Sequence, residues 1–331
     1  MIQFVLYRLW VMIPTLFFVS MVTFVLIQLP PGDYLTTYLA GLSMSGEAAS
    51  LEKVDVLREQ YGLDKPVWLQ YWGWLTGMLQ GDFGFSFLMQ QPVGNVIWNR
   101  IGMTTFIACL SILVAWIVAL PIGIYSAVRP YGIIDYVSTT FGLVGMATPS
   151  FLIALVFVFL ANRYLGLSLG GLFSEEYVNA DWSLAKALDL MKHIWLPVVI
   201  LAVGGTGGMI RTVRANLLDQ LQMPYVDTAR AKGLPEWKVV LKYPVRIAIN
   251  PLVSTIGWMF PAMISSSIIV DVVLSLPTTG PLLLNSLLAQ DMHLAGALVM
   301  LLSVLTMLGT LLSDILLAWV DPRIRFEGGS R

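Results

Sequence analysis

Few residues of this chain have types and spacings that could do chemistry on their own. Gly204-Gly205-Thr206-Gly207-Gly208 has the glycine density of a phosphate-cradling loop. It lacks the Gly-Lys-Ser/Thr ending that grips phosphate and magnesium, and no Gly-Lys pair occurs anywhere in the sequence. Close helix packing or a hinge is the expected role of these glycines. His193 and His293 stand far apart at the edges of apolar runs, spaced neither as metal ligands nor as an acid–base pair. Cys109 is the only cysteine, which removes an intrachain disulfide framework and any multi-cysteine metal site. Set in an apolar run, it is expected to be a buried, inert thiol. Neither a nucleophile elbow nor an HExxH motif is present, and acid pairs such as Glu175-Glu176 read as solvated loop charge. The sequence therefore offers no catalytic residue, cofactor-binding residue or metal ligand, and energy for any work must come from a partner. Asp271, within Ser-Ile-Ile-Val-Asp-Val-Val, is a carboxylate near the end of an apolar run. Such a group costs a few kcal/mol in a bilayer and usually faces protein or water. It either lines or gates a path, or sits at the membrane interface.

The elements that must position these residues belong in lipid. The 331 residues are 57% hydrophobic and 12% charged, with mean hydropathy +0.78. Soluble domains carry roughly 25% charged residues, so half that share points to an all-α membrane protein. A net charge of −1 gives nucleic acid no basic surface to bind.

Crossing a hydrocarbon core about 30 Å thick takes about 20 apolar helical residues. Six charge-free runs reach or approach that length: Leu9–Leu29, Ile101–Val128, Tyr136–Asn162, His193–Ile210, Ile247–Val270 and Met292–Ser313. The fourth can extend to Leu218, and the last past Asp314 to Trp319. Six transmembrane helices are expected. Leu9–Leu29 is longer than the roughly 7–15-residue apolar stretch of a signal peptide. It is followed by Pro-Pro-Gly-Asp rather than a small-residue cleavage site, so it reads as an anchor helix.

Loop arginines and lysines set the orientation. With both termini cytoplasmic, twelve fall inside (Arg8, Arg129, Arg211, Arg214, the five from Arg230 to Arg246, and Arg323, Arg325 and Arg331 of the tail) and seven outside. The segment at residues 30–100 is then external. Within it, Pro66–Asn99 carries Trp68, Tyr71, Trp72, Trp74 and Trp98 beside Gln70, Gln80, Gln90 and Gln91, with Asp82 its sole charge. Aromatics mixed with glutamines suit the membrane–water interface better than a lipid-exposed span. The segment is expected to lie on the membrane or fold over the bundle. No repeat or linker divides the chain, so residues 1–331 are expected to form a single domain.

The informative inside loop is residues 222–246, QMPYVDTARAKGLPEWKVVLKYPVR. Pro224 suits a helix's first turn, and Tyr225 to Lys232 is an unbroken helix-forming run. Gly233 is a natural residue for the left-handed position that ends a helix. Leu234-Pro235-Glu236 restarts one, with proline in its first turn and an acid near its positive end. Two short helices should meet at a glycine corner. From the residues alone, this mixed-charge knob either docks on another protein or binds lipid headgroups through Arg230, Lys232, Lys238 and Lys242.

At these residues the chain resembles the inner-membrane permeases of ABC importers, in particular the dipeptide/oligopeptide branch. Tyr225-Val226-Asp227-Thr228-Ala229-Arg230-Ala231-Lys232-Gly233-Leu234 is similar to that family's "EAA" coupling loop. Asp227, Ala229 and Gly233 take its glutamate, second-alanine and glycine positions, while Thr228, Tyr243 and Pro244 depart from the general pattern. The likeness extends over nearly the whole chain. Phe4 to Asp33 resembles the first helix and its exit, and Leu57–Pro66 and Gly81–Ser86 the external segment. Thr148-Pro149-Ser150-Phe151 resembles part of the third helix, and Arg211 with Arg214 the basic pair before the loop. Asp271 takes the place of an acidic residue late in the fifth helix. Pro277 and Gly280 fit part of a Pro-Gly-x-Gly turn whose first glycine is here Thr278.

The resemblance implies a type I ABC-importer permease fold in the bacterial inner membrane. It implies an ATPase-coupling loop comprising Tyr225, Asp227, Thr228, Ala229, Ala231, Lys232, Gly233, Leu234, Pro235 and Glu236, and a path or gate near Asp271, Pro277 and Gly280. The implied partners are a second homologous permease, two cytoplasmic ATPases that bind ATP and magnesium, an extracytoplasmic solute-binding protein and membrane lipids. The implied cargo is a peptide, with oligosaccharide next, while nickel and glutathione are carried by relatives. A self-sufficient secondary transporter would need ionisable groups near the middle of several spans. Apart from Asp271 and Asp314, both near ends, the spans lack them. A membrane-anchored assembly factor without a pore is the remaining alternative.

Overall fold

The computed structural model describes residues 2–29, 65–86, 88–165, 170–178 and 180–320. The exit at Pro30–Asp33, the stretch Leu57–Asp64 and the tail arginines Arg323, Arg325 and Arg331 lie outside these residues. The helices are α1 (Ile2–Gln28), α2 (Val67–Leu79), α3 (Val93–Val128), α4 (Ile133–Ala147), α5 (Ser150–Leu160), α6 (Leu184–Leu221), α7 (Pro224–Ala231), α8 (Glu236–Lys242), α9 (Pro244–Ala248), α10 (Asn250–Val273), α11 (Thr279–Leu288) and α12 (Met292–Val320). A two-stranded hairpin, β1 (Phe85–Ser86) antiparallel to β2 (Gln91–Pro92), precedes α3.

Among the described residues, four helices are long and apolar enough to cross a membrane, and the number rises to as many as six if each of two bent pairs is counted as one span by length and composition. The expected third span is one of these pairs. α4 and α5 are bent by 101° at Thr148-Pro149. Proline has no N–H to continue the helical ladder and disfavours helical backbone in the residue before it. Thr148 is accordingly extended at ψ 123°, and its Oγ1 donates back to the Val144 carbonyl at 2.8 Å. The second pair bends by 45° between Glu236–Ala248 and Asn250–Ile256.

The chain falls into two compact units. The first comprises Met1–Leu6, Thr104–Pro277 and Leu308–Arg331. Its central element is α6, against which α4 makes the most extensive packing. Gly142 of α4 meets Gly207 of α6, with the ideal Cβ position of Gly142 2.9 Å from the Gly207 Cα. On α3, the Cβ position of Gly123 lies 2.8 Å from the Val213 Cβ of α6. Small residues let membrane helices approach this closely. The glycine run is thus helical, with its backbone committed to the α6 ladder, and no phosphate cradle forms.

The second unit comprises Tyr7–Met103 and Thr278–Met307. Here α2 lies against α1. Ser20 Oγ and Tyr71 Oη are 2.8 Å apart, Gln28 donates to Gln70 at 3.1 Å, and Phe24 packs edge-on to Tyr71. With 13 residues, α2 is about 20 Å long at 1.5 Å per residue, short of the hydrocarbon core. Val93, Val96, Ile97, Leu282, Leu294, Ala297 and Leu298 form an apolar centre. Asp291 is fully buried beside it. It caps α12 by accepting from the Leu294 amide at 3.1 Å, and pins β1 by accepting from Ser86 Oγ at 2.6 Å.

Cys109 corrects one expectation: its side chain is exposed on α3. An apolar run predicts burial from water, and in a membrane helix lipid or a neighbouring subunit satisfies that as well as a protein core does.

Candidate coupling surface and cleft

The loop after α6 folds as a helical hairpin. Pro224 opens α7 in its first turn, Asp227 lies near the positive helix end and Arg230 near the negative end. Lys232 caps α7, and Gly233 turns the chain with φ +75°. Pro235 caps α8 in extended conformation, followed by Glu236. Val226, Ala229 and Val239 are buried between the two helices, with Tyr225, Leu234 and Tyr243 packed around them. Ala229 is therefore interior, whereas Asp227, Thr228, Ala231, Lys232, Gly233, Pro235 and Glu236 form a continuous exposed edge.

Charge is ordered across the corner. Arg230 donates to Glu236 Oε1 at 2.8 Å and to Asp227 Oδ1 at 3.2 Å. The neighbouring guanidinium holds the Glu236 carboxyl below its usual range, and the two carboxylates, Glu236 first, raise Arg230. The hairpin is also anchored to the long helices. Tyr225 Oη donates to Gln220 at the end of α6 at 2.8 Å. Val240, Val245 and Ala248 bury against Leu217 of α6 and Ala127 of α3. Movement of the exposed edge must therefore move the ends of α3 and α6, because close-packed apolar contacts do not slide continuously.

Above this hairpin, Arg214 of α6 grips Asp135 of α4. Asp135 is 4% exposed and also accepts from the Tyr131 amide at 2.8 Å. The sequence marked Arg214 but missed Asp135. A lone acid at the start of an apolar run looks like interfacial charge until its partner, on another helix, is known.

Next to this pair a cleft of about 630 Å³ opens where α4 breaks into α5. Its walls are the break itself (Thr148, Pro149, Ser150), the glycine face of α6 (Gly204, Gly205, Gly208) and the α10 side chains Trp258, Met259 and Met263. Asp271 is not among its walls. It is 1% exposed near the end of α10, where its Oδ2 accepts from Ser267 at 3.2 Å. Its backbone carbonyl accepts from the Leu276 amide at 2.8 Å. Pro277 is half-buried, and Gly280 is buried in the first turn of α11. His193 sits on α6 with Nδ1 2.8 Å from the Asp189 carbonyl. Asp189 in turn accepts from the Ser174 amide and hydroxyl at 2.8 and 2.7 Å. His293 packs on Gly84.

Comparison with known proteins places this architecture. Residues 119–326 match the family described as "Binding-protein-dependent transport system inner membrane component", and residues 1–108 match the N-terminal family of the same components. The chain is 33% identical over 328 residues to the oligopeptide transport system permease protein AppB of Bacillus subtilis, covering 98% of this chain and 100% of that one. It is 32% identical over 327 residues to the glutathione transport system permease protein GsiC of Escherichia coli K12, covering 99% and 100%. Among solved structures, the MetNI methionine ABC transporter in an inward-facing conformation aligns with TM-score 0.52 at 18% identity. That alignment covers 68% of this chain and 96% of that one, a likeness of fold. The chain is a multi-pass inner-membrane transport subunit that works with an ATPase and a binding protein, and is not itself an enzyme. It belongs to the family of binding-protein-dependent transport system inner membrane components, the permeases of ABC importers.

Proposed function

We propose that this permease forms half of the path for a peptide-type solute, paired with a second homologous permease and served by two cytoplasmic ATPases that hold ATP and magnesium. The whole chain acts as one permease domain with both termini and the 222–246 loop in the cytoplasm, and an external binding protein delivers the solute. The observation that carries this reading is the α7–α8 hairpin, whose exposed, charge-ordered edge is tied by buried contacts to the ends of α3 and α6. A headgroup anchor needs no such linkage, whereas a handle does. Tyr225, Asp227, Thr228, Ala231, Lys232, Gly233, Leu234, Pro235 and Glu236 present or shape the ATPase contact, and Ala229 packs beneath it. Asp271, Pro277 and Gly280 belong to the path or its gate. ATPase closure shifts the bundle because each state is favoured by a different set of bound partners. Peptide cargo is favoured by the AppB and GsiC likenesses, since glutathione is itself a peptide.

Two measurements test this. Cysteines replacing Asp227 or Glu236, in a Cys109→Ser background, are expected to crosslink to an ATPase subunit in the assembled complex; crosslinks to neither would favour lipid anchoring. Proteoliposomes containing the complex are expected to accumulate alanine peptides of two to five residues when ATP and the binding protein are present. Uptake of an oligosaccharide but no peptide would refute the cargo assignment.

A further inference from the structure

We infer that Arg211 is the residue of the path that receives an anion, meeting the carboxylate of the transported solute in the cleft beside the α4–α5 break. This rests on the peptide-transport reading above. Arg211 is exposed and lines both the 630 Å³ cleft and an adjoining cavity of about 300 Å³. One helical turn further on, Arg214 is neutralised by Asp135. Among the described residues, Arg211 has no carboxylate partner. Among the described residues no acid lines the larger cleft, and the one acid lining the smaller, Asp135, is occupied by Arg214.

The site thus carries one uncompensated positive charge. An ionisable side chain in a membrane-embedded helix is costly, and is retained where it faces a partner or a water-filled path. Arg211 stands ten residues before the end of α6, about 15 Å along the helix axis. It is therefore set back from the coupling hairpin, directly after the charge-free run that ends at Ile210. Around it the walls supply what a short peptide needs: the Ser150 hydroxyl, the hydroxyl oxygens of Thr148, Thr212 and Thr255, which donate to their own helix carbonyls and can accept from peptide N–H groups, and the α6 glycines, against which a backbone can lie. A guanidinium offers a carboxylate two parallel donors. Burial by a passing solute strengthens that contact, and release toward water weakens it.

The test compares the wild-type complex with Arg211→Gln and Arg211→Lys in proteoliposomes, with one binding protein throughout. The cargo is alanine peptides of two to five residues and their C-terminal amides. The acid-to-amide uptake ratio is compared between variants, so the binding protein's own preference cancels. Arg211→Gln is expected to lower acid uptake about tenfold, the scale of one charged hydrogen bond, and to leave amide uptake within about twofold; Arg211→Lys recovers most of the loss. A second readout needs no delivery. In a Cys109→Ser, Thr212→Cys background, free-acid peptide is expected to slow alkylation of that thiol more than amide does, and Arg211→Gln removes the difference. Equal loss of acid and amide uptake, with equal slowing by both, would make Arg211 structural and overturn the inference. An unchanged ratio with an altered dependence on phosphatidylglycerol content would assign the charge to a lipid headgroup and overturn it equally. If the wild-type complex carries no peptide acid, the cargo assignment fails and this inference fails with it; if acids are carried without discrimination at Arg211, only this inference fails.

Discussion

Arg214 and Asp135 meet in a fork: Nε to Oδ1 at 2.6 Å and Nη2 to Oδ2 at 2.8 Å. The pair joins the first turn of α4 to the last third of α6, the helix that continues into the coupling hairpin. It also holds the turn before α4, where Tyr131 adopts φ 63° and donates its amide to the same carboxylate.

Breaking this pair from one side is expected to destabilise the chain. Asp135→Asn keeps an acceptor for the Tyr131 amide but leaves the Arg214 charge unmatched. One-sided loss of a buried pair costs about 3–5 kcal/mol. The lower end applies here, because the Arg214 side chain is still 25% exposed. Thermal unfolding of the detergent-solubilised complex should show a lower midpoint. Asp135→Asn combined with Arg214→Gln should recover part of the loss, since it strands no charge; a double variant worse than the single one would count against the argument.

The charge cluster at the hairpin corner calls for the opposite outcome. Arg230, Asp227 and Glu236 side chains are 41%, 73% and 57% exposed, and exposed pairs contribute about 0–1 kcal/mol. Glu236→Gln should leave the unfolding midpoint nearly unchanged. The carboxyl's pKa is depressed in the folded chain, so its small contribution is complete above the ordinary carboxylate range. That contribution is lost as pH falls through the depressed value, and neutral pH sees none of the change. Charge reversal by Arg230→Glu should instead lower ATPase association, measured by co-purification, because three acids would then line the docking edge.

The contact between α4 and α6 is set by two backbones. A Cβ on Gly207 would overlap the Gly142 carbonyl oxygen, and neither helix has a side chain there to give way. Overpacking of this kind costs roughly 1–3 kcal/mol. Gly207→Ala should therefore lower thermal stability. Gly204→Ala, whose Cβ would sit 3.5 Å from Ser150 Oγ, should be neutral or slightly stabilising, since alanine is the better helix former by roughly 0.5–1 kcal/mol. Equal effects of the two substitutions would show that the close approach is not what limits this packing.

Much of this was legible in the chain's local chemistry, and the limits of that legibility have physical causes. Apolar length located α1, α3, α6 and α12, because lipid imposes a minimum run of residues on any crossing. Pro224, Gly233 and Pro235 marked the hairpin, since backbone restrictions act at single positions. The same length rule merged α4 and α5 into one span, although Pro149 stood inside it. A proline in a membrane helix often only kinks it, so the 101° bend depends on neighbours that periodicity does not reveal. Asp291 and Asp135 went unnoticed as structural acids. Each binds groups distant in sequence, Ser86 in one case and Arg214 in the other. The sequence also gave no reason to separate Arg211 from Arg214, which look alike until one is seen to be neutralised.

Gly233 offers the sharpest separation of backbone from side-chain effects. Its φ of +75° is left-handed, and an added Cβ would meet nothing within 4 Å. Space is therefore irrelevant at this position, and only backbone preference is at stake. Left-handed backbone costs a residue with a Cβ about 1–2 kcal/mol, more for a β-branched side chain, and asparagine tolerates it best among them. Gly233→Val should tilt α8 relative to α7 and misplace Glu236 with respect to Arg230. ATP hydrolysis should then proceed without proportionate uptake, while membrane insertion stays normal. Gly233→Asn, larger than alanine but at ease in this conformation, should retain most of the coupling. If asparagine uncoupled as fully as valine, bulk at the docking edge rather than the turn would be responsible, and the hairpin's shape would not be what the ATPase grips.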